Sequence, residues 1–236
     1  MRAHASSDRT GNGLLGRLPA DEYGRLSAVL ELTNLTVDQN LYPKGDTNHY
    51  VYFPISGLIS VVIVMEDGEK VEAVTIGNEG MVGLAVVLGV EASGTQINCR
   101  VAGKALRLPG RVVQQSLQES PRLDALVKHY AAFSLRSAKQ LVACNALHPV
   151  EERLCRWLLM MHDRVGSDTI PQTQEFMAEM LGVRRQTVTV VARTLQTAGV
   201  ITYRRGAVRI VNRQGLEDCA CECYEAMKAA YNQAMN

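Results

Sequence analysis

The sequence predicts an α+β chain: an N-terminal β-barrel or jelly roll, one long helix, and a C-terminal winged helix-turn-helix. Three observations predict it. From Thr36 to about Leu108, short β-branched runs such as "VYFPISGLISVVIV" alternate with Gly, Pro, Asn and Asp at even spacing, the pattern of a sandwich or barrel. After Pro121, no Gly or Pro interrupts the chain until Pro149. Finally, "MLGVRRQTVTVVARTLQTAGVI", residues 180–201, carries two apolar stripes at helical spacing joined through Gly182. The expected divisions are a disordered lead (1–13), a β-rich domain (14–119), a long helix (120–148) and a helix-turn-helix domain with a C-terminal helix (149–236).

Bulk properties narrow the class. The 236 residues allow one large domain or two ordinary ones. Apolar residues make up 47%, the net charge is +1 and the mean hydropathy is −0.04, as in a soluble globular protein. The longest apolar run, near "GLAVVLGV", falls well short of the roughly 18 residues of a membrane span. "MRAHASSDRTGNG" lacks the apolar centre of a signal peptide. No membrane partner is expected, and the expected compartment is the cytoplasm. None of the six cysteines forms a CxxC pair, so a disulfide framework is not expected.

The elements follow in order. Residues 14–35 read as helical, with Asp21 as N-cap after Pro19. "MEDGEK" reads as a hairpin turn with Asp67-Gly68 at the bend. Residues 110–118 form a short helix. Ser120 caps the next helix, with Pro121 at its first position. That helix places Leu123, Leu126, Tyr130, Phe133, Ser137, Gln140, Cys144 and Leu147 at alternating spacings of three and four. This is an a/d seam, and it predicts pairing with a second copy of the chain. An ordinary helix packed on its own domain is the alternative, and the polar Ser137 and Gln140 favour it. "VEERLCRWLLMMHDRV", residues 150–165, is a further amphipathic helix, followed by the extended "TIPQ".

Charge is concentrated in one place. From Thr169 to Arg213 there are seven arginines (184, 185, 193, 204, 205, 209 and 213) against Glu175 and Glu179. The segment is therefore +5 and the remainder about −4, which points to a local polyanion. Within it, "TQEFMAEML" carries Phe176, Met177, Met180 and Leu181 on one face. "RQTVTVVARTLQTAG" carries Val188, Val191, Ala192 and Leu195 on another. Two short helices joined by a turn that starts at Gly form a helix-turn-helix. The opposite face of the second helix presents Gln186, Thr189, Val190 and Arg193, with Arg184, Arg185 and Thr187 at its N-terminal end. Arg can grip guanine, Gln adenine, and Thr or Val a thymine methyl, while the helix N-terminus favours phosphate. "GVITYRRGAVRIV" then reads as a two-stranded wing with Arg204 and Arg205 at its tip, placed for phosphates.

These motifs, with "VYFPISGLISV" and "GNEGMVG", resemble the Crp/Fnr family of bacterial transcription regulators from about Leu14 to Val211. The resemblance implies a cyclic-nucleotide-binding-like roll and a homodimer on a pseudo-palindromic operator. It also implies double-stranded DNA as partner, RNA polymerase as a further partner, and a small-molecule effector. It matches Arg184, Arg185, Gln186 and Thr189 to base contacts and Thr173 to a phosphate contact. The corresponding effector pocket comprises Gly80, Gly83, Leu84, Thr95, Gln96 and Arg100. Here the chain departs from the family pattern. Leu84 stands where the nucleotide-binding members carry Glu. Thr95 and Gln96 stand near the usual Arg-Ser or Arg-Thr, and Arg100 comes several residues too late. A phosphate without a cation and a ribose without an acceptor bind poorly. Cyclic AMP is not expected, and the effector is left unknown.

Other chemistries are weaker. The N-terminal cysteine cluster of the iron–sulfur members is absent, since the first cysteine is Cys99. No feature marks His49, His129, His148 or His162 as a haem ligand. Cys144 and His148 share a helix face, but a metal needs further ligands, and no metal site is expected. In "DCACECYE", helical spacing puts Cys219 and Cys223 together with Cys221 turned away. A metal, haem or thiol redox sensor with the same DNA-binding output is the alternative function. No phosphate loop, paired-carboxylate or hydrolase motif appears, so no enzyme is expected.

Overall fold

The computed structural model describes residues 10–42, 50–90 and 95–235. Two three-stranded antiparallel sheets form the N-terminal roll. In the first, β6 (Gly103–Pro109) lies between β1 (Glu31–Leu35) and β2 (Tyr50–Pro54). In the second, β3 (Leu58–Val64) lies between β4 (Lys70–Ile76) and β5 (Thr95–Val101). The β3–β4 hairpin turns at the expected Asp67-Gly68, with Gly68 at φ 86. Between the sheets pack Leu35, Leu41, Tyr42, Tyr52, Ile59, Ile76, Ile97 and Cys99.

The start of the chain departs from expectation twice. A single helix over 14–35 does not form. Leu15–Arg17 is a short 3-10 turn, α1 covers Ala20–Ser27, and Glu31–Leu35 is a strand. Strand β6 offers a complete ladder to residues 31–35, and that pairing overrides local helical preference. Pro19, not Asp21, precedes the first turn of α1, and no side chain caps it. The second departure lies in the lead. Residues 1–9 fall outside the described residues, but the rest of it is tied down. Asn12 is fully buried. Its Nδ2 donates to the Pro54 and Gly80 carbonyls, both at 2.9 Å, while its Oδ1 accepts from the Leu14 and Leu15 amides.

Helix α2 (Leu84–Val87) and α3 (Gly110–Glu119) close the roll, and α4 (Pro121–Leu147) runs out from it. Ser120 caps α4 as expected, its Oγ accepting from the Leu123 amide at 3.2 Å. Twenty-seven residues give α4 a length of about 40 Å. Then follow α5 (Val150–Val165), β7 (Thr169–Ile170), α6 (Gln174–Leu181), α7 (Arg185–Thr197), β8 (Ile201–Arg204), β9 (Ala207–Ile210), α8 (Arg213–Asp218) and α9 (Cys223–Met235).

The seam expected between two chains is satisfied within one. Helix α9 packs along α4. Leu123, Leu126, Tyr130 and Phe133 are buried in one cluster with Tyr231, Met235 and the roll residues Val51 and Phe53. Ser137 is buried, Gln140 donates to the Cys223 Sγ at 3.1 Å, and Cys144 is fully buried against Cys221, Cys223 and Met227. Burying each large apolar side chain in this way contributes about 1.5–3 kcal/mol, and α9 supplies the apolar partner surface. Leu147, the last seam position, is 78% exposed.

The two halves share a core. Leu58 and Val62 of β3 pack with Leu154, Leu158, Met177, Met180 and Leu181. A buried ion pair crosses the same junction, Arg164 Nε to Glu79 Oε1 at 2.7 Å.

Candidate functional site

The C-terminal half is assembled from short pieces. Thr173 caps α6, its Oγ1 accepting from the Phe176 amide at 3.1 Å. Gly182 ends α6 at φ 63, where a residue with a Cβ would be strained. The chain then enters α7, which buries Val188, Ala192 and Leu195. That leaves Arg184, Arg185, Gln186, Thr187, Val190 and Arg193 exposed. Val190 is 64% exposed, an apolar side chain held out to solvent on the free face. Thr189 is half-buried, and its hydroxyl is engaged locally, donating to Gln174 Oε1 at 2.8 Å. Arg185 faces Glu175 at 3.5 Å, an exposed pair of the kind that contributes little.

The wing forms as expected. Arg205 at φ 50 and Gly206 at φ 76 occupy the turn between β8 and β9, the left-handed pair that a tight hairpin requires. Arg204 and Arg205 are exposed. Strand β7, the expected extended "TI", pairs with β9 as a third strand. The Thr173 side chain lies beside the wing turn, its Cγ2 within 3.5 Å of the space a Gly206 Cβ would take. The start of α6, the free face of α7 and the wing tip therefore meet on one arginine-rich surface. Arg184, Arg185 and Gln186 also line a cleft whose other wall is the β3–β4 hairpin, at Met65, Gly68, Glu69 and Lys70. Sequence reasoning missed the residues that hold α6, α7 and the wing together. Gln174 takes Thr189, the Tyr203 hydroxyl accepts from the Gln174 amide, and Gln196 Oε1 accepts from the Tyr203 amide.

The residues matched to an effector pocket are drawn into the fold's own contacts. Gly80 lies under Tyr130 of α4, whose hydroxyl occupies the space a Cβ would take. Gly83 precedes α2, and the Tyr42 hydroxyl fills the adjoining space. Leu84 packs against the apolar core. Thr95 and Gln96 are held in the β5 ladder opposite Ile63 and Val62. Strand alternation turns Ile97 and Cys99 inward and Arg100 outward. Arg100 pairs with Asp38 at 3.2 Å and stacks on Phe176 of α6, its guanidinium carbon 4.6 Å from the ring centroid. It serves the contact between the halves.

The histidines and cysteines sort differently than spacing suggested. His49 lies outside the described residues. His129 is exposed. His162 is held by Asp168 and Arg213, at 2.8 and 2.6 Å. The helical spacing expected through "DCACECYE" does not form, because α8 ends at Asp218 and α9 begins only at Cys223. The turn between them sends Cys221 and Cys223 to the same side, beside Cys144 and His148. Cys219 lies instead against Cys155. A hydrogen bond from Cys221 holds the Cys144 thiol well below its ordinary range.

The geometry on these surfaces has known counterparts. Residues 33–120 match the cyclic nucleotide-binding domain family and residues 152–219 the Crp-like helix-turn-helix domain family. Among curated proteins none matches. A protein described as a Crp/Fnr-family regulator from Eubacterium rectale superimposes with a TM-score of 0.68 at 16% identity, covering 89% of this chain and 98% of that one. FixK2 from Bradyrhizobium japonicum gives 0.67 at 16% identity, covering 82% and 98%. The c-di-GMP-responsive regulator CLP of Xanthomonas campestris gives 0.66 at 17% identity, covering 81% and 99%. A roll joined through a long helix to a winged helix-turn-helix is the build of a DNA-binding transcription regulator. The chain belongs to the Crp/Fnr family of these regulators. Among the described residues no helix is long and apolar enough to cross a membrane.

Proposed function

We propose that the protein regulates transcription in the cytoplasm as a homodimer on a pseudo-palindromic operator, under an effector other than cyclic AMP and without enzymatic activity of its own. One observation carries the reading: α7 buries one stripe and leaves Arg184, Arg185, Gln186, Val190 and Arg193 exposed beside the wing arginines. The arginines and glutamine suit base edges, and Thr173, Arg204 and Arg205 suit flanking phosphates. The domain divisions read from the sequence are retained, except that α9 joins the effector half.

The dimer seam moves to the opposite face of α4. Ala132, Leu135, Lys139, Val142 and Ala146 repeat at spacings of four and three on the side that α9 leaves open. Leu135 and Val142 are 59% and 72% exposed, an arrangement that favours close pairing with a second α4.

Three features speak against cyclic AMP: Leu84 in place of an acceptor, Arg100 directed at α6, and Tyr42 filling the space by Gly83. A separate, mostly apolar cavity lies between β4, α4, α5 and α9. Ser137 Oγ and Arg156 Nε line it, both buried without a hydrogen-bond partner among the described residues. Fluorescence anisotropy of the full chain on its own upstream DNA, beside scrambled DNA of equal length, tests the regulator reading. Tighter binding to the native fragment is expected, and equal binding to both contradicts it. Calorimetric binding of cyclic AMP at micromolar affinity would contradict the effector reading alone.

A further inference from the structure

The strongest unassigned chemistry lies where the end of α4 meets the turn before α9. The Sγ atoms of Cys144, Cys221 and Cys223 and a ring nitrogen of His148 all lie within 4.8 Å of one another. The Cys144 and Cys221 sulfurs are 3.5 Å apart, and Cys223 Sγ is 3.6 Å from His148 Nδ1. Tetrahedral zinc, with Zn–S of about 2.3 Å and Zn–N of about 2.0 Å, sets donor separations of roughly 3.5–3.8 Å. The cluster is already close to that geometry, whereas a disulfide needs its sulfurs at about 2.05 Å.

We propose that Cys144, Cys221, Cys223 and His148 Nδ1 bind one thiophilic divalent cation of the zinc class.

The surroundings fit a metal site beyond its four donors. His148 Nε2 lies 3.1 Å from Glu222 Oε2, so a carboxylate orients the ring with Nδ1 toward the sulfurs. Gln140 Nε2 donates to Cys223 Sγ at 3.1 Å, a bond that steadies a ligand thiolate. The three cysteines are buried, at 0%, 5% and 0% exposure. Arg153 and Arg156 act electrostatically on the cluster, and their positive charge balances three thiolates around a divalent ion. Four protein donors leave no open coordination position, so the site is structural or regulatory and does not activate water. Four donors converging on a single point leave no room for a multi-iron cluster. Binding transfers no electrons: each ligand thiol loses its proton to solvent as its sulfur bonds the metal. The occupied site would join α4 to the segment entering α9, at the bend where α4 passes into α5.

The test uses the full chain, purified anaerobically, freed of metal and fully reduced, then titrated with Co²⁺. About one Co²⁺ per chain is expected, with the visible ligand-field bands of a tetrahedral ion, thiolate-to-cobalt charge transfer, and displacement by Zn²⁺. Cys223→Ser should lose part of the charge-transfer intensity. Glu222→Gln, which alters only the positioning residue, should weaken binding about 10- to 100-fold. Cys99→Ser, in the roll interior, should leave the spectrum unchanged. Circular dichroism confirms that each variant is folded. Absence of the charge-transfer band in the reduced wild type, or an identical band in folded Cys223→Ser, overturns the proposal. So does a Cys144–Cys221 disulfide in the anaerobically purified chain. None of these readouts depends on DNA binding, so this proposal and the regulator reading fail independently.

Discussion

The indole Nε1 of Trp157, on α5, donates to Oε1 of the buried Glu72, on β4, at 2.9 Å. Ser60 donates to the other oxygen at 2.6 Å. The contact ties the DNA-binding half to the roll through a carboxyl whose titration burial disturbs. Burial pushes Glu72 above its ordinary 4.5, against the opposing pull of its two donors and of Arg164 and Arg156. In the unfolded chain Glu72 loses its proton near that ordinary value; in the folded chain it does so at higher pH. Its contribution is therefore fully present below the ordinary value and is lost as pH rises through the folded one. Glu72→Gln does not titrate and keeps an acceptor for Trp157. Urea unfolding at about pH 5 and about pH 8 should find the wild type losing stability relative to Glu72→Gln as pH rises. A gap that does not change with pH contradicts this account of Glu72.

The ion pair of Arg164 with Glu79 carries a larger penalty. Both side chains are almost fully buried, at 6% and 7% exposure. Arg164→Ala strands the carboxylate in the junction and should destabilise the chain by about 3–5 kcal/mol. A loss below about 1 kcal/mol in denaturant unfolding would mean that water reaches Glu79.

DNA contacts should separate by type. Arg185→Ala should cost about 1–3 kcal/mol on the preferred site and relax base preference. Arg204→Ala should weaken all sequences alike and reduce the salt slope by about one. Anisotropy over a range of salt concentrations distinguishes the two patterns. Equal behaviour of both variants would contradict the assignment of Arg185 to base edges.

Oligomeric state tests the relocated seam. Leu135→Glu with Val142→Glu places charge on the exposed face of α4 and should give a folded monomer in light scattering. Leu126→Ala removes side-chain volume from the chain's own core and should cost about 2–5 kcal/mol without splitting the dimer. A dimer that survives the double Glu variant contradicts this interface.

The C-terminal module was the most legible part of the sequence, because local signals fix it. Gly182 at a left-handed turn and Gly206 in the wing each meet a backbone demand that glycine suits best, whereas Thr173 as the cap of α6 was not read from the sequence. The seam was misread because an a/d stripe reports only that a helix is covered, not by what. Leu126 and Phe133 look the same in sequence whether α9 or a second chain lies over them. Glu31–Leu35 was read as helix because the ladder that makes it a strand comes from Gly103–Pro109, some seventy residues on. Cys144 and His148 were visible as a pair. Their partners were not, because the turn after Asp218 breaks the helical spacing that would have parted Cys221 from Cys223.

Selection of binding sites from a random duplex library by the full-length protein tests the central claim most directly. Effector coupling typically changes affinity about 5- to 150-fold, so protein is supplied at a concentration that allows for its absence. The account predicts enrichment of an inverted repeat with half-sites about one helical turn, roughly 34 Å, apart, and its loss with Arg184→Ala/Arg185→Ala. Failure to enrich any motif, or an identical motif from that variant, would contradict it.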